Sequence, residues 1–206
     1  MPEGSSSNNR RTIADYELSA REYIATVEGR PSATAEALRQ LAAMVAPGVR
    51  VLEIGSGPGW DADALEKLGV DVHRTDATGA FCDFQAGRGK RCDRLDLLSD
   101  RIDGPYGGAM MLCVLQHFEH TQLDGALRKL ASAMDAGTPL LLMYPEGDDE
   151  QRGHGAAGDH LVVRWAPAAF DARLAQAGFA VAWEDAIDGR GGSWRIVLAR
   201  TEGDGG

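Results

Sequence analysis

Three glycines at positions 55, 57 and 59 follow directly on the apolar run Val51-Leu52-Glu53-Ile54. Glycines in such a loop permit positive φ angles and let a ligand lie against bare backbone. A dinucleotide fingerprint would need glycine at position 60, which is Trp60, and no Gly-Lys-Ser/Thr follows to form a phosphate-binding P-loop. A carboxylate at Glu53 would repel a pyrophosphate, whereas it suits a ligand with an ammonium or sulfonium group. The loop therefore indicates a nucleotide-like ligand that carries positive charge.

Two acidic residues further along the chain are spaced as nucleoside ligands require. Asp76 lies 19 residues after Gly57, close to the roughly 20-residue distance at which an acidic residue accepts the ribose hydroxyls in such folds. Asp96, followed by Leu97, could accept a hydrogen bond from an adenine amino group while the leucine packs on the ring. Asp76, followed by Ala77, is also a residue type that favours a turn or a helix cap. An exposed capping role would explain the presence of Asp96 equally well.

Histidines supply the candidate acid–base groups. His117 and His120 follow a strongly apolar segment, at what should be the carboxyl edge of a sheet, where open α/β folds bind ligands. A histidine there could deprotonate an acceptor, because its pKa lies near operating pH. His154 and His160 lie in or beside a polar, Gly-rich stretch, and Arg164 could hold an acidic acceptor. Helix-capping or half-buried roles are open alternatives for His117 and His120, and solvated loop positions are open alternatives for His154 and His160.

The elements that must position these residues alternate between strands and helices. The predicted strands are 50–54, 70–76, 93–96, 109–115, 139–144, 180–184 and 194–199, and the predicted helices are 12–29, 33–46, 60–68, 78–88, 123–134 and 167–177. Residues 145–158 are expected to be a loosely packed loop. This alternation predicts an α/β fold, a Rossmann-like, mostly parallel seven-stranded sheet with helices on both faces and one antiparallel edge strand.

Length and composition predict one soluble domain. The 206 residues, 44% of them hydrophobic and 25% charged, suit a single domain over 12–200, with flexible tails at 1–11 and 201–206. The net charge of −10 disfavours nucleic-acid partners. No apolar run is long enough to span a membrane, and the N-terminus has no secretory pattern, so a cytoplasmic protein is expected.

Three cysteines, Cys82, Cys92 and Cys113, fit neither a disulfide framework nor a zinc site by their number and spacing. Acidic residues after the central strand do not form an obvious octahedral set, so no metal is expected.

The pattern Glu53-x-Gly55-x-Gly57-x-Gly59, with Asp76 and Asp96 following in order, resembles the class I S-adenosylmethionine-dependent methyltransferases. Asp15-Tyr16-x-x-x-Ala20-x-x-Tyr23 is similar to the N-terminal helix that covers the cofactor in many small-molecule members. The resemblance spans roughly residues 12–200, with residues 12–46 as helices over the cofactor site. It implies S-adenosylmethionine as cofactor, S-adenosylhomocysteine as product, and no metal.

The resemblance also implies the site residues. The implied cofactor-binding residues are Tyr23, Glu53, Gly55, Ser56, Gly57, Gly59, Asp61, Asp76, Ala77, Asp96, Leu97, Cys113 and Val114. The candidate acceptor-binding residues are Tyr16, His120, His154, His160 and Arg164, and His117 is the candidate base.

The expected reaction is in-line transfer of a methyl group to an oxygen or nitrogen of a small-molecule or peptide natural product, by a monomer or homodimer with no nucleic-acid or membrane partner. One alternative is a carboxylate O-methyltransferase acting on the C-terminus of a ribosomal peptide. The other is a non-catalytic cofactor-binding protein, which Gln116 keeps open because relatives often have histidine there.

Overall fold

The computed structural model describes residues 5–28, 33–155, 158–189 and 191–202, with the side chains of all of these except 5–7 and 151–161. The strands are β1 Arg50–Ile54, β2 Asp71–Asp76, β3 Cys92–Arg94, β4 Ala109–Met111, β5 Pro139–Pro145, β6 Glu150–Gly155, β7 Gly158–Val163, β8 Phe179–Gly189 and β9 Gly192–Thr201. The α-helices are α1 Ser5–Val27, α2 Ala35–Met44, α3 Trp60–Lys67, α4 Gly79–Gly87, α5 Leu123–Ser132 and α6 Pro167–Gln176, and a single 3₁₀ turn covers Leu115–His117.

Seven strands form one sheet in the order β3-β2-β1-β4-β5-β9-β8. Neighbours from β3 to β5 pair in parallel, and β9 runs antiparallel to both β5 and β8. The predicted fold class is thus confirmed, with the antiparallel strand one position in from the edge strand β8. Strand order reverses between β1 and β4, and such a switch point opens a crevice at the carboxyl ends of the strands.

The central strands are buried on both faces, which explains their continuous apolar sequence. Val51 and Leu52 of β1 and Met110 and Met111 of β4 are each essentially without solvent exposure. One face packs against α5 and α6, and the other against α2 and α3. A smaller aromatic cluster lies between α1 and α4. The helices therefore cover both faces and leave the carboxyl edge of the sheet for the site.

The first helix begins earlier than its sequence indicates. It starts at Ser5, inside the predicted N-terminal tail 1–11. The side chains of Asn8 and Asn9 donate hydrogen bonds to Glu119 and Asp96, across the edge of the sheet. These tertiary contacts order a segment whose polar composition favours disorder. At the other end, β9 includes Thr201, the first residue of the predicted C-terminal tail.

The segment predicted as a loose loop, residues 145–158, is largely a β-hairpin. β6 and β7 pair antiparallel in a two-stranded sheet of their own, with Glu150 opposite Val163. The buried residues Val163 and Trp165 anchor the end of this hairpin in the main core. The sequence did not predict this hairpin because its strands are largely polar and glycine-rich, and its buried apolar residues come only at the end of the second strand.

Candidate functional site

A pocket opens at the carboxyl edge of the sheet, at the switch point between β1 and β4. It is bounded by the glycine loop after β1, by the segments that follow β2, β3 and β4, and by α1. The predicted site residues that line it are Tyr16, Tyr23, Gly55, Asp76, Ala77, Asp96, Leu97, Cys113, Val114 and His117. Residues that the sequence did not single out also line it, namely Asn9, Thr12, Ile13, Ile54, Thr78, Phe81, Leu95 and Phe118. The fold thus brings together residues that are more than a hundred positions apart.

The glycine loop adopts the backbone that its composition favours. Gly55, Gly57 and Gly59 have φ angles of 68°, 53° and 83°, in the left-handed region that side chains rarely adopt. A Cβ at Gly55 would also overlap the side chain of Val114, which approaches the loop from the segment that follows β4. Gly55 therefore allows both the turn and the close approach of that segment.

Buried polar side chains support the loop from behind. The guanidinium of Arg74 is 2% exposed, donates to the carbonyl oxygen of Gly59 at 3.2 Å and forms an ion pair with Asp63 at 2.7 Å. Gln85 Nε2 donates to Ser56 Oγ at 2.9 Å and to the carbonyl oxygen of Gly57 at 2.8 Å. Ser56, a predicted cofactor residue, therefore contributes to the loop's support.

Asp76 joins the loop to the end of β2. Its Oδ2 accepts a hydrogen bond from the backbone N–H of Gly57 at 2.7 Å, and its Oδ1 accepts one from Thr78 at 2.8 Å. Burial raises the pKa of this carboxyl, and the two backbone hydrogen bonds act in the opposite direction. Asp76 thus has the turn role considered from the sequence, and it also lines the pocket, where its contact with a ribose stays a prediction.

Glu53 is a buried carboxyl behind the glycine loop. Its side chain is 4% exposed, and its Oε2 has no hydrogen-bond partner among the described residues. Burial raises the pKa of Glu53 to about 8, and nearby Asp61 acts in the same direction. Asp61 lies in the first turn of α3, accepts a hydrogen bond from Thr34 Oγ1 at 2.7 Å, and has its own pKa raised by burial. An unpartnered acidic oxygen beside a second carboxyl fits a positively charged ligand group.

Asp96 caps a turn and also lines the pocket. Its Oδ1 accepts from the backbone N–H of Leu98 at 3.0 Å, and its Oδ2 accepts from Ser99 Oγ at 3.0 Å and Asn9 Nδ2 at 2.8 Å. Leu97, beside it, is buried in the main core. Asp96 therefore has the capping role considered from the sequence, and its position in the pocket lining leaves the adenine contact as a prediction.

β4 is shorter than the sequence predicted. The apolar run suggested a strand over 109–115, but β4 ends at Met111 and Cys113 has a φ of 55°. This turn presents Cys113 to the pocket, with its Sγ 3.9 Å from Met143 Sδ. The side chain borders open pocket space, yet surrounding protein atoms raise the pKa of its thiol to about 12. Cys113 is therefore a neutral lining group.

Tyr16 of α1 meets His117 across the pocket. The Tyr16 hydroxyl is 3.2 Å from His117 Nε2, and the two ring centroids are 5.5 Å apart. The Tyr16 ring also packs edge-on against Tyr23 and at a tilt against Phe81 of α4. Burial raises the pKa of the Tyr16 hydroxyl. Gln116 Nε2 donates to the carbonyl oxygen of Cys113 at 2.6 Å, which fixes the turn that carries His117. An aromatic wall and a Tyr–His pair thus close one side of the pocket.

Glu17 connects α1 to the start of α4, a contact that could not be predicted from the sequence. Its carboxylate accepts hydrogen bonds from the backbone N–H groups of Gly79 and Ala80, at 2.7 and 2.9 Å, in the first turn of α4. A negative charge at a helix N-terminus is stabilising, because the first amide groups there lack partners within the helix. The partners lie more than sixty residues away, so no local pattern in α1 marks this residue.

Two of the predicted acceptor residues, His120 and Arg164, lie outside the pocket lining. His120 has Nδ1 3.1 Å from Glu150 and Nε2 2.9 Å from the carbonyl oxygen of Arg164. The Arg164 side chain pairs with Asp149 and donates to Gly191 at 2.7 Å. These contacts connect the β6–β7 hairpin to its surroundings.

His154 and His160 occupy β6 and β7, where each pairs through its backbone with the opposite strand. Their side chains fall outside the described set, so their roles stay predictions.

Within the described ranges, no group of three or more His, Cys, Asp and Glu side chains is arranged to hold a metal ion. None of the helices in that part of the chain is long and apolar enough to cross a membrane.

Comparisons of the sequence find no matching family model and no similar curated protein. Solved structures do match. One is the 1,6-didemethyltoxoflavin-N1-methyltransferase of Burkholderia thailandensis, bound to 1,6-didemethyltoxoflavin and S-adenosylhomocysteine, with a TM-score of 0.76 and 16% identity over 98% of this chain and 92% of that one. A second is DhpI with S-adenosylhomocysteine, with a TM-score of 0.74 and 21% identity over 96% and 98% of the two chains.

A third similar structure is the magnesium protoporphyrin IX methyltransferase of Synechocystis PCC 6803 with S-adenosylhomocysteine, at a TM-score of 0.69 and 16% identity over 93% of this chain and 99% of that one. At these identities the shared property is the arrangement of the backbone. The chain therefore has the Rossmann-like fold of the class I S-adenosylmethionine-dependent methyltransferases.

Proposed function

We propose that this protein is an S-adenosylmethionine-dependent methyltransferase that modifies an oxygen or nitrogen of a small-molecule or peptide natural product. One observation carries the proposal: Gly55 of the glycine loop, Asp76, Asp96 and the Tyr16–His117 pair line one pocket at the switch point of the sheet. The solved structures of the same fold, several with S-adenosylhomocysteine or S-adenosylmethionine bound, support it.

The charges of the residues present suit the cofactor, because a buried carboxylate oxygen of Glu53 has no hydrogen-bond partner among the described residues. The loop backbone would hold the methionine part, with the carboxylates of Glu53 and Asp61 offsetting the charge of its ammonium group. Asp76, already at the end of β2, would accept the ribose hydroxyls, at about 1.5–3 kcal/mol for each charge-assisted hydrogen bond. Asp96 and Leu97 would contact the adenine.

The bound cofactor supplies an activated methyl group on a sulfonium, so this chain's task is to position the acceptor and exclude water. α1 covers the pocket and is held there by Glu17 and by the aromatic packing of Tyr16. His117 lies where it could take a proton from an acceptor hydroxyl or amine as that atom attacks the methyl carbon, with the Tyr16 hydroxyl orienting its ring. A carboxylate acceptor is already ionised and would need only positioning.

The partner we propose is a small acceptor. Solved structures of the same fold include methyltransferases for 1,6-didemethyltoxoflavin, magnesium protoporphyrin IX and a glycopeptide, so this fold accommodates molecules of very different shape. The net charge of −10 adds a general repulsion toward nucleic acids. We further propose that the protein works in the cytoplasm as a monomer or homodimer, without a nucleic-acid or membrane partner.

The test uses methyl-labelled S-adenosylmethionine and an extract of the source organism, separated into small-molecule, peptide, protein and RNA fractions. We expect label in the small-molecule or peptide fraction with the wild-type protein and a large loss of label with Asp76→Ala. Alkaline release of the label would identify a methyl ester. Label confined to RNA or protein would contradict the proposed acceptor class. Cofactor binding without label in any fraction would favour a non-catalytic cofactor-binding protein.

A further inference from the structure

Two cysteines, which the sequence did not associate with each other, meet under the pocket. Cys82 lies in α4 and Cys92 begins β3, and their Sγ atoms are 3.0 Å apart. The only other cysteine of the sequence, Cys113, lies beside Met143 on the pocket side of β4. A spacing of ten residues looks uninformative in sequence, but the turn from α4 into β3 folds it into direct contact.

Both cysteines are held by well-packed elements. Cys92 pairs through its backbone with Arg74 in the parallel ladder between β2 and β3. The start of α4 is fixed by the hydrogen bonds from its first amide groups to Glu17. A disulfide has an S–S distance of about 2.05 Å, so bond formation needs the two sulfurs, now 3.0 Å apart, to approach by about 1 Å.

The environment of the two thiols also differs in a way that suits an exchange reaction. Cys82 is 8% exposed, whereas Cys92 is partly accessible to solvent. The hydrogen bond between them lowers the pKa of Cys82 and raises that of Cys92, because the Cys82 thiolate accepts the shared proton. The accessible sulfur of Cys92 thus lies beside the buried sulfur of Cys82, which is the more easily deprotonated of the two.

We propose that Cys82 and Cys92 form a reversible intramolecular disulfide, with a low-molecular-weight disulfide such as oxidised glutathione as the oxidant. The Cys82 thiolate takes the shared proton from Cys92 through the hydrogen bond between them, and the Cys92 sulfur attacks a sulfur of the oxidant, so that a mixed disulfide forms and one glutathione thiolate leaves. Cys82 then gives up this proton to solvent and its thiolate attacks the Cys92 sulfur, so that the protein disulfide forms and the second glutathione thiolate leaves. The two cysteines lose two electrons and two protons, and the oxidant becomes two molecules of reduced glutathione.

The bond would connect α4 to β3, the edge strand of the sheet. It would close residues 82–92 into a ring and restrict the unfolded chain, which is the main way in which a disulfide stabilises a protein. Phe81, next to Cys82, lines the pocket and packs against Tyr16, so oxidation would also fix one part of the pocket wall. This inference depends on the two sulfurs alone and holds whether or not the protein transfers methyl groups.

The test is peptide mapping after incubation of the full-length protein with oxidised glutathione at pH 8, followed by alkylation in denaturant and digestion with trypsin. Cleavage after Lys and Arg leaves Cys82 in peptide 75–88, Cys92 in peptide 92–94 and Cys113 in peptide 102–128. We expect peptides 75–88 and 92–94 to be disulfide-linked and peptide 102–128 to be alkylated. The linkage should disappear with dithiothreitol, and the melting temperature of the oxidised protein should exceed that of the reduced protein by several degrees.

Three variants make the result specific. Cys113→Ser should retain both the linked peptides and the rise in melting temperature. Cys82→Ser should stop at a glutathione adduct on Cys92, and Cys92→Ser should form no linkage between these peptides. Recovery of all three cysteines in alkylated form, or a stable glutathione adduct on wild-type Cys92 without linkage, would overturn the proposal. A linkage that lowers the melting temperature would overturn the inferred stabilisation of α4.

Discussion

Replacing Glu53 by glutamine probes the charge behind the glycine loop while it retains the size of the side chain. The wild-type carboxyl is buried, has an Oε2 without a hydrogen-bond partner among the described residues, and has its pKa raised to about 8. If the carboxylate offsets the ammonium of the cofactor, binding selects the ionised form of Glu53. Cofactor affinity should then depend on pH in the wild type, and this dependence should weaken in Glu53→Gln.

The magnitude follows from that pKa. At pH 7 about a tenth of the Glu53 carboxyls would be ionised before binding, so the apparent affinity should fall about tenfold for each pH unit below 8. An α-amino group loses its proton near pH 8, so affinity should be highest near pH 8 and fall again above it. A charge-assisted hydrogen bond contributes about 1.5–3 kcal/mol, so Glu53→Gln should bind about 10- to 150-fold more weakly at pH 8. The difference between the two proteins should narrow toward pH 6, where the wild-type carboxyl is neutral.

Isothermal titration calorimetry with S-adenosylhomocysteine between pH 6 and 9 measures both quantities. Buffers of different ionisation enthalpy would report the proton exchanged on binding. The matched control is Glu36→Gln, because Glu36 is exposed on α2 and bonded to Arg39 and Gln40. We expect the control to follow the wild type. An equal affinity and an unchanged pH profile in Glu53→Gln would refute the role assigned to this carboxyl.

Three further substitutions, and the stability of Glu53→Gln itself, test other parts of the account. Because burial raises the pKa of Glu53 in the folded state, the wild-type protein is most stable below about pH 4.5, where this carboxyl is neutral, and loses stability as the pH rises toward 8. Urea unfolding should therefore show the free energy of unfolding of Glu53→Gln rising relative to that of the wild type by up to about 5 kcal/mol across that range. A constant difference between the two proteins would contradict this. Asp76→Ala should lower cofactor affinity more than tenfold by calorimetry and reduce the free energy of unfolding by about 2–5 kcal/mol, because two loop amides lose their acceptor; unchanged affinity would contradict the ribose assignment. Gly55→Ala should abolish cofactor binding, since its Cβ would overlap Val114, and an unaltered Kd would show that the loop can adjust. His117→Asn should lower kcat by about 10²- to 10⁴-fold with cofactor affinity nearly unchanged, and wild-type turnover would exclude His117 as the base.

The local geometry around the candidate site could be predicted from the sequence where it depends on local chemistry. The order strand, glycine loop and helix specifies the turn at Gly55, because only glycine tolerates its backbone angle and the approach of Val114. The separation of 19 residues between Gly57 and Asp76 equals roughly one helix plus one strand, so the sequence spacing alone indicated that the two residues are close in space. The structure places Asp76 directly against that loop amide.

The parts that the sequence did not predict depend on contacts between distant segments. Asn8 and Asn9 have the composition of a disordered tail, and they become helical because Glu119 and Asp96 accept their hydrogen bonds. Glu17 looks like an ordinary surface acid until α4 places its first amides beside it. Such contacts leave no periodic pattern, because one partner gives no information about where the other lies.

The hairpin β6–β7 and the end of β4 show a different limit. Polar and glycine residues conceal two strands whose pairing is set by the buried anchors Val163 and Trp165. The apolar run after residue 109 continues past the strand, because Leu115 is buried although the backbone has already turned at Cys113. The apolar run therefore predicted correctly that Leu115 is buried, but it predicted a strand longer than the one observed.

The most direct test of the central claim is calorimetric titration of the wild-type protein with S-adenosylmethionine, alongside NAD⁺ and ATP. A pocket with Glu53 behind the loop and Asp76 at the ribose position predicts saturable binding of S-adenosylmethionine at one site per chain, with no measurable heat from NAD⁺ or ATP. Binding of NAD⁺ or ATP without binding of S-adenosylmethionine would contradict the assignment of the glycine loop, and so would the absence of binding by all three.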